Sequence, residues 1–314
     1  MVKTGGDSTL TVIVAFSANL AIAIAKTAAA VLSGSASMAA EAAHSWADTG
    51  NEIFLLVADR RSAREPDVRR PLGYGREAYV WSLLAAVGLF VVGATVSIWR
   101  GVNELLHEPD PRGEDYRIAY LVLAIAFVLE GISWLQAVRQ LRREARQYER
   151  DVLEYALDTS DPTLRAVFAE DSAALIGVVV AALGIGLHQL TGSIVWDAAG
   201  SILIGVLLGA VALLLIDRNR IFLTGEPGPP RVREAVSEEI VAMPEIAALR
   251  DLRIEFVGPK QLFIVARVDL VGDDAESSVA RTLSGLERRL EENPLVVDAV
   301  LTVSEPDSEG TPGR

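Results

Sequence analysis

The chain of 314 residues contains no cysteine and only three histidines. Without sulfur donors it cannot build a disulfide framework, a zinc ribbon, a thiolate nucleophile or an iron-sulfur site. Any metal it handles must be held by nitrogen and oxygen. Basic residues are also scarce: 29 Lys and Arg stand against 42 Asp and Glu, for a net charge of -13, which argues against nucleic acid as a partner. Arginine far outnumbers lysine. There is no Gly-rich phosphate loop, no Ser-His pairing and no zinc-protease helix motif, so nothing points to an enzyme or to a bound cofactor. No cleavable secretory signal is expected either. The first apolar run, Leu10 to Leu32, has bilayer-spanning length, and signal-peptide cores are shorter.

Apolar residues, in contrast, make up 51% of the chain, and they are segregated. Long apolar runs occupy residues 10–216, whereas 224–314 carry 18 Asp and Glu against 10 Lys and Arg. Six segments of spanning length can be read, at about 10–32, 36–58, 77–99, 116–138, 162–187 and 193–216. The loops between them alternate in charge. Segments 33–35 and 188–192 hold no Lys or Arg and 100–115 is mostly acidic. Segment 59–76 holds Arg60, Arg61, Arg64, Arg69, Arg70 and Arg76, and 139–161 holds Arg139, Arg142, Arg143, Arg146 and Arg150. That asymmetry places both termini in the cytoplasm of a multi-pass protein of the cell membrane.

A Gly-Glu-Pro-Gly-Pro-Pro linker at 225–230 cannot continue a helix. Beyond it, residues 231–243 read as a helix, 252–257 and 262–270 as strands around Gly258-Pro259, 275–292 as an amphipathic helix and 295–303 as a last strand. The expectation is an all-α six-helix transmembrane bundle over 1–223 and a cytoplasmic α+β domain of order αββαβ, ferredoxin- or metallochaperone-like, over 224–314.

Ionisable residues within spans are costly and mark a pathway, a partner helix or a site. In the second span Glu41, His44, Asp48 and Glu52 follow one another at three, four and four residues, so they share one helix face. Counted from the cytoplasmic ends of the spans, Asp48 lies ~15 Å deep, Asp171 in the fifth span ~14 Å and Glu130 in the fourth ~12 Å. Three carboxylates at one level need cations or protons to neutralise them. Asn19 in the first span, at similar depth, offers a neutral oxygen. Two readings stand: an interhelical hydrogen-bond seam, or a nitrogen-and-oxygen site for a divalent metal. Lys26 in the first span reads as snorkelling outward. Glu52 and Asp59 suit either a cytoplasmic entry or pairing with nearby arginines. His107 and His188 read as an exposed loop residue and an interfacial residue.

The segment Ser33-Gly-Ser-Ala-Ser-Met-Ala-Ala-Glu-Ala-Ala-His44-Ser-Trp-Ala-Asp48 resembles the first-loop and second-span signature of the cation diffusion facilitators. Arg70-Pro-Leu-Gly-Tyr-Gly-Arg76 is similar to that family's His-Pro-Phe-Gly-His-Gly segment, and the six-span layout and αββαβ tail agree. The resemblance implies a divalent-metal transporter, zinc-transporter-like, with two ligands at His44 and Asp48. The family's other two ligands come from the fifth span, commonly His, three residues, then Asp. Here Val167 stands in place of the histidine and Asp171 remains. Glu130, or Glu170 beside Asp171, would then supply the fourth ligand. A second site near 67–74 is implied to be lost, because Arg70 and Tyr74 stand near its expected histidines and only Asp67 remains. The tail has no histidine, so Asp251 or Glu305 would be at most weak ligands.

Together these features imply Zn²⁺ efflux in exchange for protons by a homodimer joined through the cytoplasmic domain, with the membrane domain as a second candidate surface. The alternatives are Mn²⁺, Fe²⁺ or Co²⁺ as substrate, or a metal-binding membrane scaffold that does not transport.

Overall fold

A computed structural model describes residues 5–107, 116–147, 150–272 and 275–304. They form two compact units. The first comprises the chain up to Asp59 together with Val80–Arg220; the second comprises Arg60–Tyr79 and the chain from Ile221 onward. The arginine-rich segment 60–79, which sequence placed with the first six helices, therefore packs with the C-terminal elements.

In the first unit, α1 (Gly5–Ser33), α2 (Ala36–Ser62), α5 (Arg117–Gln147), α7 (Pro162–Thr191) and α8 (Val195–Thr224) are long helices, and α3 (Glu77–Gly88) runs through a π-helical segment, Leu89–Ala94, into α4 (Thr95–Leu106). Among the described residues five of these stretches are long and apolar enough to cross a membrane, with α3 to α4 counted as one. The second helix, 27 residues long, is not one of them, because it carries Glu41, Asp48, Glu52, Asp59, Arg60 and Arg61. About half of α2 is nevertheless buried. Its neighbours shield it from the solvent that its charges would otherwise require.

Small residues hold this unit together. The core is rich in alanine, with Ala29, Ala40, Ala47, Ala94, Ala173, Ala181 and Ala212 around Met38, Leu89, Leu123, Ile185 and Leu208. Without a large hydrophobic driving force between helices in lipid, close backbone approach supplies the attraction. It is close between α4 and α8. A Cβ on Gly101 would lie 2.6 Å from the Ala198 carbonyl oxygen, and one on Gly205 2.6 Å from Ile98 Cγ1 and 2.9 Å from the Ala94 carbonyl oxygen. Ser201 Oγ donates to the Ser97 carbonyl at 2.8 Å in the same seam. On α5, Leu121, Ile125, Val128, Ile132 and Leu135 point outward.

A short helix, α6 (Val152–Asp158), lies in what sequence read as a plain loop. Asp151 caps it by accepting from the Leu153 N–H at 2.9 Å, and Tyr155 and Ala156 bury against Leu141, Ala145 and Leu164. The acidic N-cap and Glu154 three residues later were its local signal. Asp161 caps α7 in turn, accepting from Thr163 and Leu164 N–H at 3.1 Å ahead of Pro162.

In the second unit, α9 (Pro230–Val241), β1 (Ile246–Gly258), β2 (Gln261–Leu270), α10 (Glu276–Glu291) and β3 (Val296–Val303) follow the expected αββαβ order. The sheet order is β1-β2-β3, with β1 antiparallel to β2 and β2 parallel to β3. Alternate residues Leu252, Ile254, Leu262, Ile264, Ala266 and Val268 face Ile240, Leu286 and Leu290 in one core. The first strand starts six residues earlier than expected, since register shifts near 247 and 250 break its alternation. Segment 60–79 closes on β1 here: Gly75 approaches Gly258 so closely that neither tolerates a Cβ, and Arg76 pairs with Glu255.

The α4–α8 seam yields a stability test. Gly205→Ala and Gly101→Ala should each destabilise the purified protein by roughly 1–3 kcal/mol through overpacking. Gly50→Ala, which meets no atom within 4 Å, should not. Thermal unfolding in detergent followed by tryptophan fluorescence reads the difference; equal melting of all three variants would contradict the seam.

Candidate functional site

The first turn of α2 is fixed by a side chain from another helix. Asp197, in the first turn of α8, accepts from the Ala36 N–H at 2.7 Å, from the Ser37 N–H at 3.3 Å, from Ser35 Oγ at 2.9 Å and from Ser37 Oγ. A carboxylate at this end satisfies N–H groups that the helix cannot pair internally and meets the positive end of its dipole. The serines of the 33–37 segment are thus the clamp that sets the rotation of α2. Nothing in local sequence links them to a residue 160 positions away.

One to three turns further along, the predicted stripe faces inward. His44 is buried, and its Nε2 lies 3.1 Å from Asp48 Oδ2. The pair lacks hydrogen-bond geometry, and neither ring nitrogen of His44 nor Oδ1 of Asp48 has a hydrogen-bond partner. A buried imidazole and carboxylate with orphaned donor atoms bear a desolvation cost that a ligand would relieve. Asp48 is the more open of the two, with 22% of its side chain exposed.

Carboxylates from other helices approach the same region. Asp171 on α7 accepts from Ser133 Oγ of α5 at 2.7 Å, and the adjacent Glu170 accepts from Asn51 Nδ2 of α2. Glu130, Asp171 and Glu170 all lie near enough to Asp48 to repel its charge. Asn19 on α1 is turned to Glu52, donating to its Oε1 at 2.6 Å, so its amide serves the next turn of the stripe. The Oε2 of Glu52 and the Oδ1 of Asn51 remain without partners.

Two expectations change. Lys26 does not snorkel: it is fully buried, with Nζ 2.8 Å from Glu41 Oε2 and 2.8 Å from Glu130 Oε1. Glu130, placed by depth as a fourth ligand, is thereby engaged through one oxygen, and only Oε2 is free of a partner. Among the described residues no three His, Asp or Glu side chains converge closely enough to grip one ion. The arrangement is a His44–Asp48 pair with Asp171 and Glu130 held close by Ser133 and Lys26.

The remaining candidates have other uses. Val167 packs with Leu55, Ala166 and Leu215, so an apolar contact fills the position where the family commonly has histidine. Asp67 accepts from the Tyr74 hydroxyl at 2.7 Å and from the Arg69 and Arg70 N–H groups at 2.9 Å. Those bonds, the Tyr74 bond foremost, hold its carboxyl below the usual range. Arg64 stacks on Tyr74 at 4.4 Å, and Asp67 is the pivot of a folded loop. Asp251 pairs with Arg253 and Arg267. His107 Nδ1 lies 2.9 Å from the Asn103 carbonyl, and His188 packs edge-on against Tyr116. Glu305 lies outside the described residues.

Lys26 and Glu41 as an ion pair, and the Asp197 clamp, were missed in the sequence. The only signal for the first was a lysine and a glutamate within apolar spans.

Residues 12–220 match the family described as the cation efflux transmembrane domain. The chain is 37% identical over 242 residues to the proton-coupled zinc antiporter SLC30A9, mitochondrial, of Xenopus laevis, an alignment covering 77% of this chain and 43% of that protein. It is 36% identical over 234 residues to metal tolerance protein C4 of Arabidopsis thaliana, covering 74% and 50%. Against the zinc transporter ZitB of Escherichia coli it is 27% identical over 232 residues, covering 73% and 67%. The chain thus spans about half or less of the first two relatives. With a family match over most of its length, and with the signature segments on α2 and before α3, this multi-pass membrane protein belongs to the cation diffusion facilitator family.

Proposed function

We propose that the protein is a secondary transporter that exports Zn²⁺ in exchange for protons, taking the metal between His44, Asp48 and Asp171. The observation that carries this reading is the buried His44–Asp48 pair with unpartnered nitrogen and oxygen atoms, facing the carboxylates of α5 and α7. Metal and protons compete for such groups, because a ligand must be deprotonated to bind and an emptied site can take protons back. That competition is the chemical basis of antiport. The imidazole favours Zn²⁺ over Mg²⁺ or Ca²⁺, while the preponderance of oxygen keeps Mn²⁺, Fe²⁺ and Co²⁺ as alternative substrates. Closure around the ion requires Asp171 to leave Ser133 or α7 to shift toward α2, a movement of the kind alternating access provides.

The positive charge of segments 59–76 and 139–161 supports cytoplasmic termini and export from the cytoplasm of a bacterial-type cell membrane. Likeness to a mitochondrial antiporter makes an organelle membrane the alternative. A membrane domain within 1–223 that yields segment 60–79 to the C-terminal unit, with the acidic tail 224–314 as a dimerisation module, belongs to the same reading. The edge strand β3 leaves Val300 and Val303 exposed in support of such pairing. A non-transporting scaffold is favoured by Val167 alone.

Flux into proteoliposomes under an imposed pH gradient tests the reading. Zn²⁺ should move faster than Mn²⁺, Fe²⁺ or Co²⁺, and His44→Ala, Asp48→Ala and Asp171→Ala should each reduce uptake to background. Retention of full flux by the Asp48 variant would remove the site assignment. Metal binding without gradient-driven flux would instead support the scaffold. For the assembly, light scattering of the detergent-solubilised full chain should report a dimer; a monomer at working concentration refutes it.

A further inference from the structure

Lys26 is the buried charge that a metal site of His44, Asp48 and Asp171 does not use. It stands on α1, fully enclosed, and its ammonium bridges Glu41 of α2 and Glu130 of α5 at 2.8 Å each. Among the described residues it is the only Lys or Arg paired with the acidic groups Glu41, Asp48, Glu52, Glu130, Glu170 and Asp171. The site is built to receive it. Gly177 on α7 has no side chain where Glu41 Oε1 sits, and any Cβ there would collide with that oxygen. Glu41 lies one helical turn from His44, and Glu130 bears electrostatically on both Asp48 and Asp171.

A carrier that works by alternating access moves its site across the membrane twice in each cycle, once loaded and once without metal. In the loaded passage the divalent ion offsets the carboxylates around Asp48, Glu130 included. In the return passage that charge is absent, protons on the emptied metal ligands replace only part of it, and a carboxylate left uncompensated in a low-dielectric interior is costly. Resting on the transport reading above, we propose that Lys26 is a tethered counter-cation that offsets one of the two negative charges of Glu41 and Glu130 during the metal-free return. It sets how fast the metal-free carrier reorients and takes no part in binding the metal.

The two passages can be measured separately in the full-length protein in proteoliposomes. Isotopic Zn²⁺/Zn²⁺ exchange needs only the loaded carrier, whereas net Zn²⁺ flux driven by a pH gradient needs both passages. Lys26→Met should keep exchange near the native rate and lower net flux at least about tenfold, the factor that some 1.4 kcal/mol of uncompensated charge imposes. The Lys26→Met/Glu41→Gln double variant removes one negative charge with the positive one and should recover most of the net flux. Unchanged net flux in Lys26→Met overturns the proposal. So does parallel loss of exchange and net flux that the double variant fails to restore, since the lysine would then be needed for the fold or for the loaded form. Failure of the native protein to show flux of any kind would strike the transport reading instead.

Discussion

A charge can remain at membrane depth only where protein replaces the water it lost, and this requirement organises the helical unit. The second helix carries more ionisable residues than an isolated span could tolerate, so it lies among its neighbours. Alanine and glycine on those neighbours let them come close enough to cover it. The α4–α8 seam and the gap at Gly177 are two expressions of one economy: side-chain volume is removed wherever a backbone or a carboxylate must approach.

The polar groups so covered fall into two kinds. Some are held by several partners and act as fasteners: Asp197 at the start of α2, and Arg165 on Asn219 and the Thr159 carbonyl. Others keep atoms without partners, and these concentrate on one stretch of α2 and the helices facing it: Glu41, His44, Asp48, Asn51, Glu52 and Glu130. Fasteners stabilise one arrangement, whereas incompletely partnered groups have capacity for an ion. The concentration of the second kind between fastened ends is what separates the candidate site from an ordinary hydrogen-bond seam.

How far sequence led follows from which signals are local. The long apolar helices, the stripe on α2 and the αββαβ order depend on runs and periods within a dozen or so residues, and the structure has them, with five helices of spanning length and apolarity among the described residues against the six read. Depth counting brought Asp48, Asp171 and Glu130 to one region, because helix rise is nearly constant. It could not tell which neighbour each carboxylate would choose. The pairing of Lys26 with Glu130 depends on helix rotation, and rotation is set by contacts such as Asp197 on Ser37, far apart along the chain. Lysine in a span was read by its most common behaviour, and two buried acids decided otherwise. Val167 was visible as a departure from the family pattern, but its apolar surroundings required the fold.

The division of the chain into units bears on how the protein can be dissected. The chain passes between the two units near residues 59, 79 and 220, so the C-terminal unit is joined to the helices by three covalent connections, two of them flanking the arginine loop. That loop rests on the strand around Glu255 and Gly258, and Tyr79 stacks on Phe222. A gene shortened after residue 223 would therefore not yield an intact membrane half. It would strip of its support the twenty-residue insert into which α2 runs. The insert and the tail are better regarded as one structural part, to be exchanged together or left alone.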